Sequence, residues 1–310
     1  MNENRSAFDK VARWWAQSPE KLRQRAFIAW MEHEYVKKHI NLRTTGDESL
    51  DWFSYILQRY FHPPVARALS LGSGDGGLER HALDAGAVER FDAYDASPGA
   101  IEDAKKSAKT KGLLHRVNYV VSDLNHLRLE AGGYDSVFAS MSIHHVHNLE
   151  GLFEEVRAAL KLSGFFIMNE YIGPTRFQLP PIQIKLINDL LKVLPRDFRR
   201  VIRDGKPTSD IKESHLIHPL TWFEENDPSE AARSAEILPL LQRFFRIVEF
   251  KPYGGTLLHF LLQDIVGNFD ESQENDRAWL DILFYFEGAL EDARAIDSDF
   301  ALIVASPQKI

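Results

Sequence analysis

The chain has 310 residues, of which 44% are hydrophobic, and it carries a formal net charge of −8 without a single cysteine. This length and apolar content suffice for a large globular unit with a buried core. The lack of cysteine excludes disulfides, thiolate metal sites and cysteine nucleophiles. The acidic balance disfavours nucleic acid as a partner, since nucleic acids are bound through cationic surfaces.

No apolar run reaches the ~18 residues needed to cross a bilayer. The N-terminal sequence MNENRSAFDK lacks the apolar centre of a signal peptide. We therefore expect a cytoplasmic protein without a membrane span. Residues 1–60 are predicted to form a helical cap, with Ser18-Pro19 as a good helix start, and residues 61–310 form the main domain.

Apolar and aromatic runs that recur every 20 to 30 residues predict buried strands at 66–71, 90–96, 117–123, 134–142 and 164–171. Helix-like segments lie between them at 76–86, 98–112 and 149–164, and Gly112 and Gly164 are suitable helix stops. Alternating strands and helices indicate a parallel sheet with right-handed crossovers.

Residues 174–243 are predicted to be an insertion after strand five, with a helix at 181–194. The insertion contains a basic run that is either a solvated helix face or a site for a phosphate or carboxylate: Arg196, Arg199, Arg200, Arg203 and Lys206. Strands at 244–253 and 299–307 flank a further helical stretch. The predicted fold is a Rossmann-like, doubly wound α/β fold with a mostly parallel seven-stranded sheet and an antiparallel edge strand.

A glycine-rich turn follows the first predicted strand in ALSLGSGDGGLE. Its glycines, Gly72, Gly74 and Gly76, let the backbone turn sharply and approach a ligand closely at a helix start. The second strand ends in Asp95 and the third in Asp123. Two acids at the carboxyl ends of neighbouring strands define a crevice that fits an adenosine.

The segments GSGDG, YDAS, VSDLN and ASMSIHH resemble the motifs of the class I S-adenosylmethionine-dependent methyltransferases, over residues 66–171 and the last two strands. The resemblance implies that Gly72, Gly74 and Gly76 pack against the methionine part of S-adenosyl-L-methionine and that Asp95 binds both ribose hydroxyls. It implies that Asp123 and the Leu124 amide bind the adenine edge. Ser73 and Ala96 are further candidates for cofactor binding. The resemblance also places Ser140 and Met141 near the methionine ammonium, and Arg43 is a candidate for the cofactor carboxylate.

One position departs from this family. An acid is common two residues before the first glycine, and this chain has Ser70 there. The segments SPEKLRQRAF, NEYIGPTRFQ, DPSEAARSAEI and YGGTLLHFLLQDIVGNF further resemble a bacterial subgroup found near glycan biosynthesis. That resemblance favours a carbohydrate acceptor.

His144 and His145 directly follow strand four, where a base for the acceptor proton should lie. Either histidine is a candidate base, although one of such a pair commonly caps or packs under the next helix. Glu170 could orient a histidine, and Tyr171 is a further catalytic candidate. Candidate substrate-binding residues are His147, Arg176, Tyr253 and His259. We expect no metal, because adjacent histidines on an extended segment point to opposite faces.

The sequence therefore predicts methyl transfer to a hydroxyl of a sugar, sugar nucleotide or glycan. The alternatives are N- or C-methylation of a small natural product, an inactive cofactor-binding protein, or a dehydrogenase-type dinucleotide domain. The N-terminal cap and the insertion are expected to cover the cofactor and form the acceptor pocket, with aromatic residues such as Trp14, Trp15, Phe177 and Trp222. A homodimer is compatible with the sequence.

Overall fold

The computed structural model describes residues 29–308. Within them, the core is a seven-stranded sheet in the order β3-β2-β1-β4-β5-β9-β8. Its strands are β1 Val65–Leu71, β2 Val88–Asp95, β3 Val117–Val121, β4 Tyr134–Ser140, β5 Leu160–Tyr171, β8 Phe245–Gly254 and β9 Phe300–Pro307. β1 to β5 pair in parallel, and β9 runs antiparallel to both β5 and β8.

The expected α/β fold class, with a mostly parallel sheet and one antiparallel strand, is confirmed. The antiparallel strand β9 is buried along nearly its whole length because it lies between β5 and β8, and β8 forms the outer border of the sheet. β8 alternates between buried and exposed residues, as expected for a strand at a border. All parallel strands direct their carboxyl ends to one edge, where ligands bind in such folds.

Helices cover both faces of the sheet and one end of the molecule. Their bounds are α1 Glu34–Thr45, α2 Trp52–Tyr60, α3 Gly77–Asp84, α4 Pro98–Thr110, α5 Leu149–Ala159, α6 Pro181–Val193, α7 Leu220–Glu225, α8 Ile237–Phe244, α9 Leu258–Leu262 and α10 Glu274–Asp292. One buried cluster lies under α2, α3 and α4, and a second lies under α5 and α8. A third joins α1, α6, α9 and α10 beyond the sheet.

One of the two predicted helix stops differs. Gly112 follows α4 in the left-handed conformation, as predicted, but Gly164 does not end a helix. α5 ends at Ala159 and β5 begins at the next residue. The register between β4 and β5 shifts just there, so Gly164 lies within an irregular part of β5, where a Cβ would come 2.8 Å from the Asp135 carbonyl.

The insertion contains a short hairpin that was not predicted, formed by β6 Arg200–Arg203 and β7 Lys206–Ile211. The basic run lies on this hairpin and the preceding 3-10 turn, so its interpretation as a helix face is wrong. Three of its five basic residues have local partners: Arg199 pairs with Glu213, Arg200 with Asp197, and Arg203 with Asp264.

The N-terminal cap is described in part. Ser18-Pro19, SPEKLRQRAF, Trp14 and Trp15 lie outside the described residues. Of the described remainder of that segment, α1 packs beside β8 and α2 packs over the sheet near the glycine turn. None of the helices within residues 29–308 combines the length and the apolar character needed to cross a bilayer.

Candidate active site

The glycine turn between β1 and α3 has a backbone that requires glycine. Gly72, Gly74 and Gly76 have φ values of +72°, +53° and +77°, in the left-handed region. The amides of Gly72 and Ser73 donate to the Tyr94 carbonyl at 2.7 and 3.1 Å. The turn is therefore held against the end of β2, with its middle open to solvent.

A Gly72→Ala substitution should be more costly than the same change at Gly86. Both positions have positive φ, but a Cβ at Gly72 would come 2.3 Å from Ser142 Cβ, whereas Gly86 has nothing within 4 Å. We expect about 1–2 kcal/mol lost for Gly86→Ala, and roughly 1–3 kcal/mol more for Gly72→Ala because Ser142 must move. Urea unfolding of both variants measures the difference. Equal losses would contradict the close approach of Gly72 to Ser142.

A cleft of about 400 Å³ opens over this turn, a size in the range of small-molecule sites. It is lined by Trp52, Phe53, Ser70, Gly72, Ser73, Gly74, Asp75, Gly77, Leu78, His81 and Ser140. Gly72, Ser73, Gly74 and Ser140 were predicted for this site. The aromatic wall from α2 was missed, because no motif in WFSYILQRY distinguishes a cleft-lining helix from an ordinary amphipathic one.

Of the two strand-end acids, Asp95 contacts a residue that lines the cleft, Gly74. Asp95 Oδ2 accepts the Gly74 amide at 2.8 Å and Oδ1 accepts the Ser97 amide at 2.7 Å, so Asp95 joins the glycine turn to the start of α4. Burial raises the pKa of Asp95, and the two amides oppose that rise. Asp123 caps the 3-10 turn Leu124–His126 and contacts the His126 ring at 2.8 Å.

His144 and Glu170 form a buried pair at the ends of β4 and β5. His144 Nδ1 lies 2.5 Å from Glu170 Oε1. The same carboxylate accepts the amides of Ser142 at 2.9 Å, Ile143 at 2.7 Å and Tyr171 at 2.7 Å. A carboxylate with these neighbours acts as an acceptor only, so Nδ1 carries the hydrogen and the ring is held with Nε2 facing away. The predicted orienting role of Glu170 matches this geometry.

A loop of the insertion lies over the histidines. Glu230 Oε1 is 3.7 Å from His144 Nε2. The Ala232 amide donates to the His144 carbonyl at 3.1 Å, and Ser229 Oγ lies 3.1 Å from His145 Nδ1. Glu230 lies in the segment DPSEAARSAEI. The sequence predicts no role for this residue, because it does not follow a predicted strand.

Arg176 holds this loop in place. Its guanidinium donates to the carbonyls of Glu230 at 2.7 Å and Pro228 at 2.6 Å, and its amide donates to Ala231 at 2.7 Å. His147 is exposed, with Nε2 3.1 Å from the Pro228 carbonyl. The substrate-binding role predicted for Arg176 needs correction, since its donors are used by backbone carbonyls.

The pKa values around His144 are strongly shifted. Burial lowers the pKa of His144, but the charges of Glu170 and Glu230 outweigh burial and raise it to about 9. Burial and the neighbouring His144 charge lower the pKa of His145 well below its usual value. Burial raises the pKa of Glu230 to about 7, against the attraction of His144. Of the two histidines, His144 is therefore the stronger base and His145 the weaker.

Among the described residues, His144, His145 and Glu230 also have the spacing of a metal site, with ligand atoms within 4.8 Å of one another. The 3-10 turn Ile143–His145 brings the two rings to a centroid distance of 4.1 Å. The reason given for excluding a metal, an extended backbone at the two histidines, is therefore wrong.

Several other predicted residues are not in the cleft. Tyr171 donates to the Pro174 carbonyl at 3.0 Å, and Tyr253 donates to Asn169 Oδ1 at 2.8 Å in the buried core. His259 is surrounded by aromatic rings, and burial lowers its pKa to about 3. These contacts indicate structural roles for Tyr253 and His259 and correct their predicted substrate contact.

Arg43 is also placed elsewhere. It pairs with Glu291 at 2.5 Å and lies beside Pro252 of β8, at the far side of the sheet from β1. The prediction that Arg43 reaches the cofactor carboxylate is therefore wrong. Met141, by contrast, lies next to the cleft residue Ser140, with a φ of 51° and its amide donating to the Asn169 carbonyl.

Residues 69–168 match the protein family described as a methyltransferase domain. The chain is 28% identical over 109 residues to the sterol 24-C-methyltransferase erg6 of Aspergillus fumigatus, covering 34% of this chain and 28% of that protein. It is 28% identical over 160 residues to the polyketide synthase PksM of Bacillus subtilis, covering 47% of this chain and 4% of that protein. The chain thus spans a small part of the curated relatives it matches.

Solved structures share the fold along most of the chain. Geranyl diphosphate C-methyltransferase of Streptomyces coelicolor, in complex with Mg²⁺, geranyl diphosphate and S-adenosyl-L-homocysteine, has a TM-score of 0.52 at 14% identity, covering 97% of this chain and 98% of that chain. The [4+2]-cyclase SpnF has a TM-score of 0.50 at 15% identity, covering 82% and 80%. Residues 69–168 thus match a methyltransferase domain, and these solved structures share the fold in which that domain lies.

Proposed function

We propose that this protein transfers a methyl group from S-adenosylmethionine to a small-molecule acceptor that must lose a proton, with His144 as the base. The observation that carries the proposal is the buried His144–Glu170 pair, at the same sheet edge as the glycine cleft. Strands β1 and β4 are neighbours, so their carboxyl ends bring the two features together. Ser142 joins them directly, with its hydroxyl donating to the Leu71 carbonyl at 2.8 Å and its amide donating to Glu170.

The cleft residues fit S-adenosylmethionine. A Cβ at Gly74 would meet nothing within 4 Å, so the turn leaves room for a ligand against its backbone. Asp95 has lone pairs beyond those used by the Gly74 and Ser97 amides, and these can accept two ribose hydroxyls. Trp52 and Phe53 supply apolar surface across the cleft. Asp123, Ala96 and Met141 remain predicted contacts.

When bound, the cofactor supplies a methyl group on a positively charged sulfur, open to in-line attack. The protein must align the acceptor atom and remove its proton. His144 is suited to that removal, because Glu170 fixes the Nδ1–H and stabilises the positive charge that forms when Nε2 takes a proton. Proton transfer then ends in a buried ion pair, held by the three amides around Glu170.

The acceptor class follows from this base. An acidic carbon or a hydroxyl needs proton removal, and the names of the erg6 and geranyl diphosphate relatives describe transfer to carbon. Transfer to carbon or oxygen of a small natural product therefore has more support than transfer to a sugar hydroxyl. The carbohydrate acceptor, the cytoplasmic location and the homodimer stay predictions. The predicted cap, for which the sequence suggests residues 1–60 and 174–243, is part of this proposal; among the residues that the structure describes, Trp52 and Glu230 support it.

The proposal is tested by calorimetry with S-adenosylmethionine, S-adenosylhomocysteine and NAD, followed by a screen for transfer of radiolabelled methyl to fractions of a cell extract. Micromolar binding of the first two and labelled product support it. Binding without any labelled product favours a protein that uses this fold for another purpose, since the [4+2]-cyclase SpnF has a similar fold. Binding of NAD without binding of S-adenosylmethionine or S-adenosylhomocysteine would exclude the proposed methyl transfer.

The pH dependence of turnover should respond to Glu230. Neutral His144 is the competent form, so the rate should rise with pH toward about 9, the pKa of His144 in this site. Glu230→Gln removes a charge that raises this pKa, so the rising limb should shift to lower pH. Glu225→Gln, an exposed change in the same segment, is the control and should leave the profile in place. If the rising part of the rate–pH profile lies at the same pH in Glu230→Gln as in the wild type, His144 is not the titrating group.

A second role for the same cluster has an observation in its favour. His144, His145 and Glu230 are close enough to share a divalent cation, which would hold an acceptor by its oxygens. This role makes turnover depend on metal, whereas the base role does not. Rates measured before and after dialysis against EDTA separate the two.

A further inference from the structure

Glu79 is a buried acid that the proposed mechanism does not use. It lies in the first turns of α3, fully buried, on the helix face it shares with Ala82 and Leu83. Neither carboxyl oxygen has a hydrogen-bond partner among residues 29–308. Buried acids without partners are rare, because burial removes water from the charge without compensation. This unfavourable burial of a carboxyl group occurs directly beneath the cleft.

The neighbours of Glu79 connect it to the cleft. Ser70 of β1 and Tyr119 of β3 flank Ala93 of β2 in one row of the sheet, the row that α3 covers. Ser70 lines the cleft, and its hydroxyl is close enough to Glu79 to lower the pKa of that acid. The Tyr119 hydroxyl also lacks a partner among the described residues. Ser70 is thus the residue that links the buried carboxyl to the cleft surface.

The charged groups nearby do not neutralise Glu79. Arg80 is directed to Asp75, donating to its carbonyl and lying 3.8 Å from its carboxylate. Asp75 raises the pKa of Glu79, and Arg80 lowers it by less than burial raises it, so that the pKa is about 7. A cation placed at Ser70 would satisfy this acid, while a neutral ligand would not.

We infer that Glu79, acting through the Ser70 hydroxyl, holds the ammonium of the amino-acid end of the bound cofactor. This inference rests on the proposed function. With the ligand bound, the Ser70 hydroxyl would turn to donate to Glu79 and would offer its lone pairs to the ammonium. Glu79 is a positioning residue here, because the contact to the ligand is made by Ser70. No other buried, unpartnered acid lies under the cleft within residues 29–308.

The inference has a distinctive effect on the protein without ligand. The pKa of Glu79 is raised from 4.5, the value of an exposed acid, to about 7 in the folded chain, so its burial lowers stability progressively between these two pH values, and the full loss is present above about pH 7. Glu79→Gln removes that cost and should raise the melting temperature of the ligand-free protein at pH 8. A purely structural role would give a lower melting temperature instead.

The decisive measurement is calorimetry at pH 8 with S-adenosylhomocysteine and with methylthioadenosine, which lacks the amino-acid end. Glu79→Gln should weaken the first by about ten- to a hundredfold and leave the second unchanged. The wild-type affinity for S-adenosylhomocysteine should fall from pH 8 to pH 6, since the acid must lose its proton to bind a cation. The variant should show a flatter dependence.

A rescue variant completes the test. Ser70→Asp in the Glu79→Gln background moves the carboxylate to the cleft surface and should restore most of the affinity for S-adenosylhomocysteine. Equal losses for both ligands, or no loss for either, would overturn the role of Glu79. A wild-type protein that binds neither ligand would instead overturn the proposed function, so the two failures are distinguishable.

Discussion

Replacing His144 with alanine should lower turnover by about 10² to 10⁴ while cofactor affinity changes less than about threefold. The imidazole acts on the acceptor proton only in the transition state, and its nearest groups are Glu170 and Glu230 rather than the glycine turn. The measurement is single-turnover methyl transfer at saturating acceptor, with S-adenosylhomocysteine binding measured in parallel. Both are done after EDTA dialysis, so that loss of a metal is not read as loss of a base.

Two variants serve as comparisons for His144→Ala. His115→Ala removes an exposed histidine before β3 and should retain the wild-type rate. Glu170→Gln keeps the size of the side chain but loses the negative charge that orients the ring, so its rate should fall in the same direction as that of His144→Ala. If His144→Ala retains the wild-type rate of methyl transfer, the reaction needs no base, and alignment of the acceptor with the cofactor explains catalysis better. A loss confined to His145→Ala would transfer the role to that residue.

Asp95→Ala should weaken S-adenosylhomocysteine binding roughly ten- to a hundredfold, the value of one charge-assisted hydrogen-bond pair. The structure adds a second effect. Asp95 also accepts the Gly74 and Ser97 amides, so the variant should lose folding stability as well as affinity. Calorimetry gives the affinity, and urea unfolding of the ligand-free protein gives the stability.

Asp95→Asn separates these two effects, since the amide oxygen can still accept one backbone N–H. Its stability should lie between those of Asp95→Ala and the wild type, with affinity still reduced. Asp84→Asn is the matched control, because Asp84 is exposed and pairs with Lys111 away from the cleft. Wild-type affinity in both Asp95 variants would remove Asp95 from the ribose contact.

The sheet was predictable because its signals are local. Buried strands produce continuous apolar runs, and all seven runs became strands of one sheet. The sequence did not predict that β9 rather than β8 pairs with β5. That choice depends on which of the two strands buries more apolar surface beside β5. The β6–β7 hairpin did leave a signal, Asp204-Gly205, whose φ values of 52° and 70° suit a tight hairpin turn.

The site was predictable only where it follows strands. His144 and Glu170 end neighbouring parallel strands, so their contact follows from the sheet. Glu230 comes from an insertion without periodic pattern, and only tertiary packing places it 3.7 Å from His144. Arg43 was misplaced for the same reason, since the sequence does not say that α1 packs against β8. Glu79 did leave a signal, its three- and four-residue spacing to Ala82 and Leu83.

The backbone around His144 has an unusual conformation for its residue types. Met141, Arg176, Phe177 and Ala231 all have φ near +50°, where residues with a Cβ are disfavoured by about 1–2 kcal/mol each. They come from three separate segments that meet at the histidines. Glycine at these positions would relieve the strain, but it would also allow the backbone more conformations, so the present residues restrict the local shape at a cost in stability. Substitutions intended to raise the thermal stability of this protein should therefore be made first outside this region.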